Sequence, residues 1–118
     1  MASGTIQREF SGSRTQLCSW GTYGNVGDKI TLNQSLRNFP YIMIQVGWDN
    51  VGEGVTFHFF PTAWLNDGYQ IQVHSVSAQN GTPRYVVLKV NSATELEVTA
   101  SNTSGYALGS PRYVYGIN

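Results

Sequence analysis

Charge is scarce in this sequence. Charged side chains make up 12% of the 118 residues, about half the ~25% of an ordinary soluble domain. Seven Lys and Arg balance seven Asp and Glu. No basic stripe is left to track a phosphate backbone or an anionic bilayer, so nucleic acid and membrane insertion are set aside. The single cysteine excludes an internal disulfide and any zinc site built on two or more thiolates. No apolar run approaches the ~18 residues of a membrane-crossing helix, and residues 1–15 carry no pattern of a secretory signal. Helical periodicity is also missing, apart from single turns at 35–38 and 62–66 that stop at Pro40 and Gly68.

What is present is polar without charge. Ser, Thr, Asn and Gln fill about a third of the chain, beside 13 Gly, three Trp, seven Tyr and five Phe. This mixture suits short strands joined by tight turns. Alternation predicts strands at 5–10, 15–20, 29–33, 41–48, 55–60, 69–75, 84–90, 95–100 and 113–117. Strand starts recur about every ten residues, which fits a sandwich better than βαβ units. The expected fold is therefore all-β: an antiparallel β-sandwich, jelly-roll-like, of about nine short strands. Residues 12–118 read as one domain after a leading segment at 1–11.

Side-chain alternation also assigns faces. Ile42, Ile44, Val46 and Trp48 are expected inside, as are Val55, Phe57 and Phe59, then Tyr69, Ile71 and Val73, then Leu96 and Val98. Thr56, His58, Gln70, Gln72 and His74 are expected outside. Two strands are apolar on both faces: 41–48, with Tyr41 and Met43 on its second side, and 84–90, with Tyr85 and Val87 set against Val86, Leu88 and Val90. Doubly apolar strands are covered twice, and a chain without helices has only another copy of itself to supply the second cover. Interface cores are likewise poor in charge and rich in aromatics. Tyr41, Met43, Val86 and Leu88 are the candidate contacts between subunits.

Catalytic patterns are few. The sequence has no Gly-x-Ser-x-Gly elbow, no phosphate-cradling Gly-rich loop and no His-Glu-x-x-His. Cys18 falls in an alternating stretch with no adjacent histidine to lower its pKa, and reads as a small buried thiol. His58 and His74 lie on neighbouring strands and can meet, but two imidazoles lack a third ligand. Glu95 and Glu97 sit two apart on a strand, roughly 6.5–7 Å, within the range glycosidases use. They alternate with Leu96 and Val98, however, which makes theirs the wet face. Asp49 and Glu53 flank a glycine-rich loop without the regular spacing of a calcium site. No metal, cofactor or catalytic set is assigned, and the chain reads as non-enzymatic.

A recognition surface remains. A sugar offers an apolar C–H face and a ring of hydroxyls, which an exposed indole or phenol beside amides and carboxylates matches by dispersion and directed hydrogen bonds. The best local match is Trp64 with Asn66, Asp67 and Tyr69. The second is Trp20 with Tyr23 and Asn25.

Several short segments extend the reading: Trp20-Gly21 ahead of Lys29-Ile30-Thr31-Leu32, then Ser35-Leu36-Arg37-Asn38-Phe39-Pro40-Tyr41, Gly47-Trp48-Asp49-Asn50, Ala93-Thr94-Glu95-Leu96-Glu97-Val98, Ser104-Gly105-Tyr106 and the ending Tyr113-Val114-Tyr115-Gly116-Ile117-Asn118. In these the chain resembles the C-terminal tip modules of bacteriophage tail fibres and tailspikes over roughly residues 12–118. The resemblance implies a β-sandwich assembled as a homotrimer at the distal end of a virion tail fibre. Such a tip touches a bacterial surface glycan, lipopolysaccharide or capsule, and residues 1–11 would be a cloning remnant or the end of a shaft. Two other roles stand beside receptor binding: a purely structural cap that registers the trimer, and a polysaccharide-degrading enzyme. The active sites of such tailspikes lie in a β-helix domain that this chain lacks.

Overall fold

In the computed structural model, residues 13–19, 21–47, 55–76, 81–103 and 109–118 are described. They hold eight strands: β1 (Arg14–Gln16), β2 (Lys29–Thr31), β3 (Tyr41–Gly47), β4 (Val55–Pro61), β5 (Gln70–Val76), β6 (Pro83–Ser92), β7 (Glu95–Ser101) and β8 (Pro111–Ile117). Two antiparallel sheets result, ordered β1-β8-β3-β4 (sheet A) and β2-β7-β6-β5 (sheet B). The expected strand at 5–10, Trp20, Trp48 and the 49–54 loop lie outside the described residues. The wrap of a jelly roll is kept where β1 meets β8 and β2 meets β7. It is lost in between: β3–β4 is a local hairpin pair in sheet A, and β5-β6-β7 is a meander in sheet B.

Both expected helical turns are single 3-10 turns, at Leu36–Asn38 and Thr62–Trp64. The Ser35 hydroxyl accepts from the Arg37 amide at 3.1 Å and caps the first. Pro61, which cannot donate a backbone hydrogen bond, precedes the second. The Thr62 amide donates to the Pro40 carbonyl at 3.0 Å, and its hydroxyl bonds the Phe39 carbonyl, which pins the two turns together.

The core forms where the inner faces of the sheets meet. Ile42, Ile44 and Val46 from β3 lie against Val86, Leu88 and Val90 from β6 and Leu96 and Val98 from β7, all fully buried. Side chains of this kind each contribute roughly 1.5–3 kcal/mol on leaving water. Alternation placed Ile42, Ile44, Val46, Leu96 and Val98 correctly because β3 and β7 each carry one unbroken aliphatic row, whereas β6, apolar on both faces, left its inner row undecided.

Two expectations are overturned. First, β4 is inverted. Its register pairs Phe60 with Ile42, His58 with Ile44 and Thr56 with Val46, and cross-strand partners share a face. Thr56, His58 and Phe60 therefore turn toward sheet B, while Phe57 and Phe59 point outward with 46% and 58% of their surfaces exposed. Second, Val86 and Leu88 cannot serve as subunit contacts, since both have 0% exposure inside the sandwich. The outward side of β6 is that of Tyr85 and Val87. Of the other two candidates, Tyr41 is exposed, whereas Met43 points outward but is nearly covered by its neighbours.

The two lateral seams of the sandwich differ. On the β1–β2 side, the Leu17 amide donates to Val114 of sheet A at 2.8 Å, and its carbonyl accepts from the Asn33 amide at 2.7 Å. On the β4–β5 side, side chains do the bridging. The Thr56 hydroxyl donates to that of Ser75 at 3.3 Å, and His58 Nε2 lies 2.9 Å from the His74 carbonyl oxygen and 3.2 Å from its amide nitrogen.

Candidate functional site

At the end of β4 the chain makes its 3-10 turn, runs through an exposed loop and enters β5. A groove of about 350 Å³ opens there, lined by Phe60, Pro61, Trp64, Leu65, Tyr69, Gln70 and Ile71. Two of the residues singled out from the sequence meet in it. Trp64 is 65% exposed and Tyr69 43%, although alternation had placed Tyr69 inside with Ile71. An indole this exposed is unusual in a chain that buries its aliphatic rows so completely, and such patches mark contact sites.

The loop behind the groove is held at several points. The Leu65 amide donates to Thr62 at 3.0 Å, the Tyr69 amide to Asn66 at 2.9 Å, and the Gly68 amide to Val90 of β6 at 2.6 Å. Gly68 adopts φ +88°, a left-handed conformation that favours glycine. Arg37 reaches in from the first 3-10 turn, donating from Nη1 to the Leu65 carbonyl and from Nη2 to Asp67 Oδ1, each at 3.1 Å. Asn66 and Asp67 are exposed beside the groove, and the Asp67 carboxylate is partly engaged by Arg37.

The second aromatic cluster is elsewhere. Tyr41 pairs with Pro61 at one end of β3, while Val46 pairs with Pro111 at the other. The Tyr23 amide donates to the Pro111 carbonyl at 3.2 Å, which puts Tyr23 at the far end of the sandwich from Trp64. Tyr23 packs against the core, and its hydroxyl donates to the Ser19 carbonyl at 3.1 Å. Burial raises its pKa, with smaller contributions from Cys18 and Asp28. Asn25 forms an exposed turn in which its amide donates to Asp28 Oδ2 at 2.9 Å. Tyr23 and Asn25 do not share a surface with the Trp64 groove.

The remaining polar candidates among the described residues find structural partners. His58 and His74 do meet, with ring centroids 4.9 Å apart, but across the seam between the sheets. No group of three His, Cys, Asp or Glu near enough to hold a metal occurs among the described residues. Glu95 and Glu97 both accept from Asn91 Nδ2 at 2.8 Å. Cys18 is buried, and that burial pushes its thiol pKa up despite a backbone hydrogen bond with Val114. Arg112 is buried on the inner side of β8 with Nη1 donating to the Thr22 hydroxyl, and desolvation lowers its pKa from the arginine norm.

Sequence reasoning missed Phe60, Pro61, Gln70 and the Arg37 clamp. The hairpin register was the signal for Phe60: once Ile42 is inside, its partner must be as well. Arg37 lies 30 positions from Asp67, and nothing local announces that pairing. No protein-family model matches the chain, and no curated protein sequence matches it significantly.

Proposed function

We propose that this chain is a non-catalytic recognition module that binds a bacterial surface glycan in the Trp64 groove. In this reading it is the distal tip of a phage tail fibre or tailspike and works as a homotrimer within the virion tail. The observation that carries the reading is the pairing of a highly exposed Trp64 with Tyr69 in one preformed groove. A pyranose lays its C–H face on the indole, while the Tyr69 hydroxyl and the Gln70 and Asn66 amides answer its hydroxyls. The anchored loop keeps the ordering cost low. The groove lining contains aromatic and aliphatic groups with a single amide, a set suited to holding a sugar rather than cleaving it. Three weak sites on one tip gain avidity when they engage together.

The test is an array of bacterial lipopolysaccharide and capsule fragments, probed with the wild type and with Trp64→Ala. Binding that falls at least tenfold in the variant, with particle mass unchanged, supports recognition at this groove. Equal binding by both proteins overturns it. Loss of the assembly in the variant would favour a structural cap instead.

A further inference from the structure

The Trp64 groove is more apolar than one face of a sugar requires. Beside the exposed rim of Trp64, Tyr69 and Gln70, its lining is Phe60, Pro61, Leu65 and Ile71. Leu65 and Ile71 are buried core residues, so they form its floor. The main chain adds little polarity there. Pro61 has no N–H to offer. The Leu65 amide donates to Thr62 and its carbonyl accepts from Arg37 Nη1. The Tyr69 amide donates to Asn66, and its carbonyl accepts from the Val90 amide at 2.8 Å. Phe60 and Ile71 lie within the β3–β4 and β5–β6 ladders. A hydroxyl aimed at this floor meets hydrocarbon and main-chain groups that are already bonded. Charge around the rim is balanced. Arg37 Nη2 and Asp67 Oδ1 hold each other at 3.1 Å. Lys89 stands opposite Gln70 on one side and Glu97 on the other. Each of these cations thus has a carboxylate beside it, and neither is among the lining residues.

We infer that the residue seated in this groove is a neutral sugar carrying a methyl group, that of a 6-deoxyhexose or of an N-acetyl substituent. The inference rests on the glycan reading above and narrows it from surface polysaccharide in general to uncharged, methyl-bearing residues. The indole takes the C–H face, and Tyr69 and Gln70 take hydroxyls at the rim. The methyl group occupies the floor of Leu65 and Ile71, where a hydroxymethyl group would leave its O–H unbonded. A uronate would surrender the hydration of its carboxylate to a hydrocarbon wall without gaining a cation. It would also meet the exposed Asp67 carboxylate beside the groove. The volume of about 350 Å³ is near the small end of ligand sites, which suits one such residue with the rest of its chain running out over the rim.

The test follows the indole N–H resonance of Trp64 in isotope-labelled protein, assigned by its loss in Trp64→Ala. Methyl glycosides of the gluco, galacto and manno series, in D and L forms, are titrated against it. Each series supplies the parent hexoside, its 6-deoxy analogue, its 2-acetamido analogue and its uronate. In the series that moves the resonance, the 6-deoxy or the 2-acetamido member should bind about tenfold more tightly than the parent. Which of the two does so identifies the source of the methyl group. The uronate should bind at least tenfold more weakly than the parent. A uronate that binds as tightly as the parent overturns the inference, as does a parent that matches both of its methyl-bearing relatives. Lipopolysaccharide or capsule fragments that bind through Trp64 and share an acidic residue, or no methyl-bearing one, overturn it equally. These outcomes leave the glycan site standing. Only if no saccharide or fragment moves the Trp64 resonance does the glycan reading itself fall, and this inference with it.

Discussion

The Phe39 ring lies against the bare backbone of Gly116, so close that a β-carbon on Gly116 would overlap the ring carbons. Gly116 sits opposite Ile42 on the inner side of β8, and its missing side chain is the space Phe39 fills. Gly116→Ala is expected to destabilise the fold by about 1–3 kcal/mol through overpacking, read as a lower urea midpoint. Phe39→Ala alone should cost about 3–5 kcal/mol. In that background the Gly116→Ala penalty should largely disappear, and a fully additive double variant would show that the ring is not the obstacle.

Cys18 gives a pH dependence with a definite sign. Its thiol pKa is raised by burial in the folded state, so the folded chain holds a proton that the unfolded chain releases in mild alkali. The stabilisation is complete below the unfolded thiol value and is lost as pH climbs through the folded one. Urea midpoints should therefore decline above about pH 8.5, and less steeply in Cys18→Ala. Tyr23, raised in the same direction, should account for part of what remains.

His58 serves the backbone of the opposing sheet. Replacing it with Ala removes the side chain that meets both the amide and the carbonyl of His74. The expected loss is about 1 kcal/mol. Hydrogen exchange should rise several-fold at the His74 amide but not at Val73, whose amide alternation turns toward β6. Equal protection at His74 in the two proteins would show that the contact does not persist in solution.

Arg37 is expected to matter through the loop it steadies. Arg37→Ala removes both anchors, to Leu65 and Asp67, while leaving the aromatic lining intact. Exposed pairs of this kind are worth about 0.2–1 kcal/mol, so glycan affinity should fall about two- to fivefold with little change in melting temperature. Sugar binding that is wholly insensitive to the substitution would mean the loop needs no clamp.

Much of the architecture was legible because aliphatic rows repeat every second residue. β3 and β7 each carry one, and Ile42, Ile44, Val46, Leu96 and Val98 were placed inside without error. Alternation defines two faces but does not choose between them. In β4 the apolar run Val55, Phe57 and Phe59 pointed to the wrong side, because pairing with β3 sets the orientation and only three-dimensional register reveals it. The same ambiguity led to Val86 and Leu88 in place of Tyr85 and Val87. At the groove, Trp64 and Tyr69 were visible as an aromatic pair in a short loop. Their separation from Tyr23 was not, since composition says nothing about which end of a sandwich a turn occupies.

The unequal seams give the molecule a spine and a fore-edge. Along the spine, Leu17 is stitched by its main chain to Val114 and Asn33, bonds that no substitution of its side chain erases. Among the described residues the fore-edge is fastened by one hydroxyl pair and one imidazole, so it is the side on which the two layers are expected to part first. Thermal loosening should accordingly travel from β4 and β5 inward, reaching the Leu17 hinge last.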